Sequence, residues 1–253
     1  MKKPAFLIIL IFQAFIAFSQ LAEQERTIEQ ANQSYSNGDF ETAISQYESV
    51  VNAGYESSGL YFNLGNAYFK MNNVPAAILY YEKARKLDPA DENILFNLEL
   101  ANSRIVDKME PLPEFFLKTW WKSARNLFTS DQWAKTGIIC FVFLLMSASV
   151  FIVSRAIILR KLSFYSGLVF LVIMFVSLVF SISSYRDYSR KSTAIIFTPT
   201  VTVKSSPNES SVDLFVIHEG TKVLIMDHVE GWSEVRLANG NVGWIRSETF
   251  RNI

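Results

Sequence analysis

The stretch Ser58–Asp91, SGLYFNLGNAYFKMNNVPAAILYYEKARKLDPAD, constrains the fold more tightly than any other part of the chain. Small residues stand at Gly65, Ala77 and Ala84, and bulky ones at Tyr61, Leu64, Tyr68 and Tyr81. That spacing fits two helices packed antiparallel. The small residues let the helices approach, and the large ones fill the space around them. Pro89 stops the second helix, because it has no N–H and its ring clashes with the preceding turn.

The same residues make the segment similar to a tetratricopeptide (TPR) unit, a helix pair of about 34 residues. An unrelated helical hairpin bundle is the plain alternative. One unit back, in residues 24–57, Ala31, Tyr35, Gly38, Ala43 and Tyr47 fit, while Thr27 and Gln30 are polar where bulk is expected. One unit forward, Glu92–Lys108 opens a third helix with Leu95, Leu98 and Ile105 on an apolar face, and Pro111 and Pro113 end it. The expected helical domain is therefore residues 20–110: repeats 24–57 and 58–91 and a capping helix 92–108. Repeat arrays usually need at least about three units to bury their faces, so the third helix or a partner completes this one.

The TPR resemblance implies protein binding without catalysis, in a concave groove lined by the first helix of each unit. Groove positions would be Ile28, Asn32 and Tyr35; Phe62, Asn63, Asn66 and Phe69; then Phe96, Asn97, Leu100 and Arg104. Asn32, Tyr35, Phe62, Asn63, Asn66, Phe69, Phe96 and Asn97 are the candidate partner-binding residues. Asn32 and Asn66 are one repeat apart, as are Asn63 and Asn97. An Asn amide both donates and accepts, so the ladder could hold a peptide backbone; alternatively, it could bridge neighbouring repeats. Ile28, Asn93 and Asn97 occupy positions where a TPR carboxylate clamp expects Lys or Arg, which argues against that ligand.

The chain starts MKKPAFLIILIFQAFIAFSQ, a short basic start, an apolar run and small residues at Ala17 and Ser19. Residues 1–19 read as a cleaved secretory signal peptide, with a retained anchor as the alternative. Two further runs, 137–154 and 162–185, carry no charge and meet the ~18-residue threshold for a transmembrane helix. Together, residues 136–185 read as a transmembrane hairpin. Arg155, Arg160 and Lys161 lie between the spans and suit a cytoplasmic connection, whereas Arg186, Arg190 and Lys191 argue for the reverse. A cleaved signal decides for export, leaving both soluble parts outside the inner membrane, in the periplasm.

A formal net charge of zero hides a regional split: residues 20–110 carry −7, residues 111–193 carry +7 and residues 194–253 carry −2. A basic belt beside apolar helices suits anionic lipid headgroups. Because no basic patch lies in a soluble part, nucleic acid is not an expected partner. Within the belt, residues 111–135 combine Phe115, Phe116, Trp120, Trp121, Leu127, Phe128 and Trp133 with Lys and Arg. They read as an interfacial amphipathic linker, or alternatively as a helix packed on the helical domain.

Residues 194–253 change to period two, with strands marked by Val201 and Val203, Val223 and Ile225, and Val235 and Leu237. Asn239-Gly240 predicts a two-residue hairpin with both residues at positive φ. A small all-β barrel is the expected fold. Gly220, Gly231-Trp232, Val235, Gly240 and Gly243-Trp244-Ile245 make the segment similar to bacterial SH3-like domains, which implies binding of cell-wall peptides or protein partners. Trp232 and Trp244 are the possible groove residues, with core filling the alternative, above all for Trp244.

Chemistry-bearing residues are sparse. Cys140, the one cysteine, lies in a span and cannot form an internal disulfide. His218 and His228, without Cys partners, make a weak metal signal. No phosphate-binding loop and no nucleophile-elbow Ser–His–Asp set stands out. The reading is of a non-enzyme with no metal and no cofactor.

In order, the chain shows a signal peptide, TPR array, transmembrane hairpin and SH3-like barrel. With the segments YFNLGNAYF and YYEKARKLDPADENILFNLELA, this architecture resembles the BatE (Bacteroides aerotolerance) family over the whole chain. The resemblance implies a membrane complex linked to oxygen or stress tolerance. It also implies von Willebrand factor A-domain Bat membrane proteins and a MoxR-type ATPase as partners. The functional expectation is a membrane-anchored periplasmic scaffold; the alternative is a peptidoglycan-binding sensor acting through the SH3-like part.

Overall fold

The computed structural model describes residues 22–110, 112–189 and 192–253. The signal-peptide expectation, residues 1–19, lies outside these residues. Five helices come first: α1 (22–36), α2 (Phe40–Asn52), α3 (Ser58–Lys70), α4 (Val74–Leu87) and α5 (Glu92–Asn102). Asp39, Ser57, Asn73 and Asp91 cap α2 to α5, each side chain accepting from an N–H of the first turn, which satisfies donors the helix cannot pair itself. Gly65 is buried against the Tyr81 ring; a Cβ there would lie 2.7 Å from two ring carbons, so α3 and α4 meet as closely as the spacing predicts.

The capping helix departs from expectation. It stops at Asn102, and its buried face is Ile94, Leu98 and Ala101, while Leu95 is 41% exposed. The chain beyond it turns away, and Ile105 packs against Gly220 in the turn between residues 218 and 222.

α6 (Phe116–Arg125) has no buried residue. It leads to two long helices, α7 (Ser130–Val153) and α8 (Ile157–Ser189), which pair as a hairpin. Both extend past the expected uncharged runs and take charged residues into their ends. Both are long and apolar enough to cross a membrane, and their most apolar windows are only 6% and 17% buried. A core helix of a soluble protein would be mostly buried. Small residues line the seam: Gly137 stands against Ser177, and Gly167 against Ser147. Many of the large apolar side chains point away from it, while Phe143 stacks on Phe170 and Trp133 meets Phe180 across the pair.

Seven strands follow: β1 (Thr193–Ile196), β2 (Thr200–Lys204), β3 (Asp213–His218), β4 (Lys222–Val229), β5 (Trp232–Arg236), β6 (Val242–Arg246) and β7 (Phe250–Asn252). They form one antiparallel sheet in the order β3-β2-β6-β5-β4-β1-β7. The expected barrel is not closed, because β3 and β7 are left as the two ends. The sheet nevertheless curls on itself: Ile196 of β1 and Ile217 of β3 share one buried cluster with Val201, Val203, Val223, Ile225, Val235, Leu237 and Ile245.

The turns exchange roles relative to the sequence reading. The two-residue hairpin is Glu230-Gly231, both at positive φ, joining Val229 to its partner Trp232. At Asn239-Gly240, positive φ is confined to Gly240. Gly240 N–H bonds Leu237 O, and Leu237 N–H bonds Asn241 O. This is a three-residue loop, a tight turn followed by one left-handed residue, so glycine is demanded only there.

The two soluble regions share a core. Ile195 and Ile253 of the sheet pack with Ala77, Ile78, Leu79 and Tyr81 of α4 and with Leu98 and Ala101 of α5. Helices bury α4 on one side and the sheet on the other, so it is buried almost all round, as its dense apolar sequence requires.

Candidate protein-interaction surface and domain junction

The candidate asparagines form two copies of one arrangement. Tyr47 OH donates to Asn32 Oδ1 at 2.6 Å, and Asn63 Nδ2 donates to the same oxygen at 3.1 Å. One repeat later, Tyr81 OH donates to Asn66 Oδ1 at 2.7 Å and Asn97 Nδ2 at 3.0 Å. Each bridge joins the two helices of a pair to the first helix of the next. Burial, followed by the nearby Tyr35 hydroxyl, pushes the Tyr47 phenol up to about 12, with the Asn63 amide opposing. Thus Tyr47 stays a neutral donor at ordinary pH. Tyr47 and Tyr81 read from sequence as space-fillers, although their 34-residue separation, equal to that of the asparagines, was a visible signal.

Bridging therefore occupies the oxygens of Asn32 and Asn66, leaving the aromatic residues as the rest of the candidate set. Phe62 stands 6.0 Å from the Tyr81 ring, and Tyr35 packs edge-on to Phe40 at 5.3 Å. Arg104 lies over Phe69 at 4.2 Å, so the cation and the ring form one unit. Phe96 is 66% exposed and Leu100 40% exposed. Phe96 and Leu100 form an outward, accessible apolar strip on α5, with Arg104, which covers Phe69, near them in the chain.

The candidate tryptophans share the outer face of the sheet. Trp232 pairs with Arg246 and Trp244 with Glu234, while Val235 and Ile245 between them point into the core. Core filling for Trp244 is corrected: the pleat turns it outward and it is half-buried. Trp232, expected as the more exposed, is 6% exposed, because Arg246 covers its ring at 4.4 Å and Glu209 holds Arg246 at 2.6 and 2.8 Å.

The junction was not anticipated. Glu82 of α4, 4% exposed, pairs with Arg85 at 2.6 Å and with Lys222 of β4 at 2.8 Å. Burial alone would raise its pKa, but Lys222 and Arg85 overcome burial and hold it below the usual carboxylate range. A second lock joins Asp107 to His218 N–H at 2.6 Å, to the His218 ring at 2.9 Å and to Thr221 Oγ1 at 2.7 Å. At Asp107 too, burial opposes ionisation, and these hydrogen bonds win, lowering the pKa.

His228 touches Ser233 Oγ at 2.8 Å, and Ser233 also meets Ser247 Oγ at 2.7 Å. Ser233 is 0% exposed, and the Asp227 carboxylate accepts from the backbone N–H of His228. The cluster pins the Glu230-Gly231 hairpin. Among the described residues, no group of three His, Cys, Asp or Glu side chains could hold a metal ion.

α6 packs on the α7–α8 hairpin. Trp121 and Trp133 each stand 4.9 Å edge-on to Phe180, and Trp133 Nε1 donates to Arg125 O at 2.8 Å. Arg125 pairs with Asp187 at 2.7 Å. Phe116 and Trp120, each 67% exposed, face outward at this level.

Comparison with known proteins agrees with the helical architecture. Residues 59–91 match the tetratricopeptide repeat family model. The chain is 38% identical over 66 residues to the BBSome complex member BBS4 of Bos taurus, covering 26% of this chain and 13% of that protein. It is 34% identical over 66 residues to tetratricopeptide repeat protein 6 of Homo sapiens, with the same coverages of 26% and 13%. The chain thus contains a TPR repeat and spans only a small part of these relatives' length.

Proposed function

We propose that this chain is a membrane-anchored protein-interaction scaffold, whose α1–α5 concave face binds a partner segment and whose α7–α8 hairpin holds it in the bacterial inner membrane. The observation that carries the reading is the exposed Phe96–Leu100 strip and the Arg104–Phe69 pair, on a region whose repeat resembles known binding modules. The name of one similar protein places that protein in a multiprotein complex, in keeping with this role.

The hairpin supports the anchor: exposed apolar flanks on a seam of small residues suit lipid as solvent. Because α7 begins and α8 ends beside each other, the helical region and the sheet share one side of the bilayer. With an N-terminal export signal, that side is the periplasm. The sheet is an open SH3-like module, and the BatE resemblance supplies the setting: a Bat complex with A-domain membrane proteins and a MoxR-type ATPase, linked to oxygen or stress tolerance. The peptidoglycan-sensor reading loses support from the covered Trp232.

Crosslinking and mass spectrometry of the tagged protein in its native membrane tests this. Crosslinks from α5 to A-domain membrane proteins, lost in Phe69→Ala/Phe96→Ala while the fold and membrane fraction are retained, are the expected result. Unchanged crosslinks would sink the groove assignment.

A further inference from the structure

The soluble regions do not meet the membrane-end helices flush. Between them runs a cleft of about 930 Å³, within the size range of ligand sites. The end of α4 with β1 and β4 forms its roof; α6, the start of α7 and the end of α8 form its floor. We propose that this cleft holds the phosphodiester of an anionic phospholipid headgroup, gripped by Arg85 and Lys222 from the roof and Lys122 from the floor. The inference rests on the membrane placement proposed above.

Charge gives the first argument. The buried Glu82 carboxylate is shared by two cations, so the Arg85–Glu82–Lys222 group keeps a net positive charge. Both cations remain accessible, with 38% of the Arg85 side chain and 36% of the Lys222 side chain exposed. On the floor, Lys118 is engaged by Glu114 and Arg125 by Asp187. Lys122 is exposed, and among the described residues no carboxylate comes within ion-pair distance of it. Burial and the neighbouring Lys222 hold the Lys86 ammonium below the usual lysine range, as expected where cations crowd.

Two further carboxylates, Asp88 and Asp131, line the cleft. They limit its excess positive charge and set it against a dianion. A phosphodiester, with one negative charge, is the better match than a phosphomonoester or free phosphate.

Depth gives the second argument. Trp121 and Tyr185 line the floor, and such rings collect at the headgroup layer. Phe116 and Trp120 on α6 continue outward from the same level, where acyl chains would lie. The cleft is therefore a slot at headgroup height with a protein roof. A bare basic belt has a floor alone.

The test uses the full-length chain purified in detergent with phosphatidylglycerol or phosphatidylcholine, counting retained lipids by native mass spectrometry. Phosphatidylglycerol should be retained in preference. Lys122→Glu and Arg85→Gln should each cut that preference about fivefold, Arg85→Lys should restore it, and Lys70→Glu, on a remote surface, should leave it unchanged. Equal retention of both lipids would overturn the site. Loss with Lys122→Glu but not with Arg85→Gln would also overturn it, by reducing it to a floor-only belt. Displacement of the lipid by millimolar inorganic phosphate would show a soluble-phosphate site, again overturning the proposal. Alkaline carbonate extraction separates the two levels. A chain released to the supernatant refutes the membrane placement and the lipid site together, whereas a retained chain without lipid preference refutes the site alone.

Discussion

The helix pairs α3–α4 and α7–α8 solve one problem in opposite ways. Both bring helices close by placing small residues at the contact. In α3–α4, Gly65 receives the Tyr81 ring, and the large side chains of both helices turn inward. In α7–α8, Gly137 and Gly167 meet serines, and most of the large side chains turn outward, including Phe141, Phe164 and Phe175, with Trp133 and Phe180 the buried exceptions. Water makes inward burial the driving force in the first pair. Lipid is as apolar as Leu, so a pair placed in a bilayer, as proposed for α7–α8, would gain nothing by hiding such residues and would rely on close packing. On that placement, solvent decides where bulk goes once the close approach is fixed.

The sharpest way to break this comparison is to fill the two glycines. Gly65→Val should destabilise the helical region by about 3 kcal/mol, because its Cβ collides with the Tyr81 ring. A thermal melt followed by circular dichroism reads that loss. Gly167→Ala should change hairpin stability in detergent by under about 1 kcal/mol, since its nearest neighbour would lie at an ordinary 3.5 Å. Equal losses would remove the distinction.

Next in size is the bridge. Asn66→Ala removes the acceptor of two hydrogen bonds and should cost about 2 kcal/mol in a denaturant melt. A loss below about 0.5 kcal/mol would return these asparagines to the ligand.

A smaller effect is expected at Glu82, where the α4 surface that faces the sheet carries charge. Its folded pKa lies below the unfolded 4.5, so its stabilisation is present above that value and drains as pH falls through the lowered one. Hydrogen-exchange protection across the α4–β4 contact, taken relative to the intrinsic exchange rate at each pH, should fall as pH drops below the unfolded value, and Glu82→Gln should flatten this dependence. An unchanged profile in Glu82→Gln would remove Glu82 from the junction.

Smallest is Ser177→Ala. The Ser177 hydroxyl is buried with no hydrogen-bond partner among the described residues. Hairpin stability in detergent should stay within about 0.6 kcal/mol of the parent or rise; a larger loss would reveal a polar contact in the seam.

These contrasts explain what the sequence made legible. Gly65, Ala77 and Tyr81 announce a close helix pair, because the cause is local and repeats along the chain. The apolar windows of α7 and α8 announce themselves by length. The Asn ladder was visible as a spacing, but its purpose needed Tyr47 and Tyr81, whose hydroxyls donate across the repeat boundary. The contact between Glu82 and Lys222 was illegible, since it joins elements far apart along the chain and neither residue is one of the spaced positions that carry the repeat and strand patterns. Trp232 misled because a turn glycine before an aromatic says nothing about the Arg246 that folds over it.

α8 runs unbroken for 33 residues, about 50 Å, against a bilayer core of about 30 Å. Its surplus length reaches the other two regions: Tyr188 hydrogen-bonds Glu56, and β1 opens at Thr193, four residues past the helix end. α8 is thus a mast stayed to both the α1–α5 helices and the sheet. With the hairpin in a bilayer, as proposed, it would hold α1–α5 at a fixed height, and a partner tethered in the same bilayer would have to present its segment at that height.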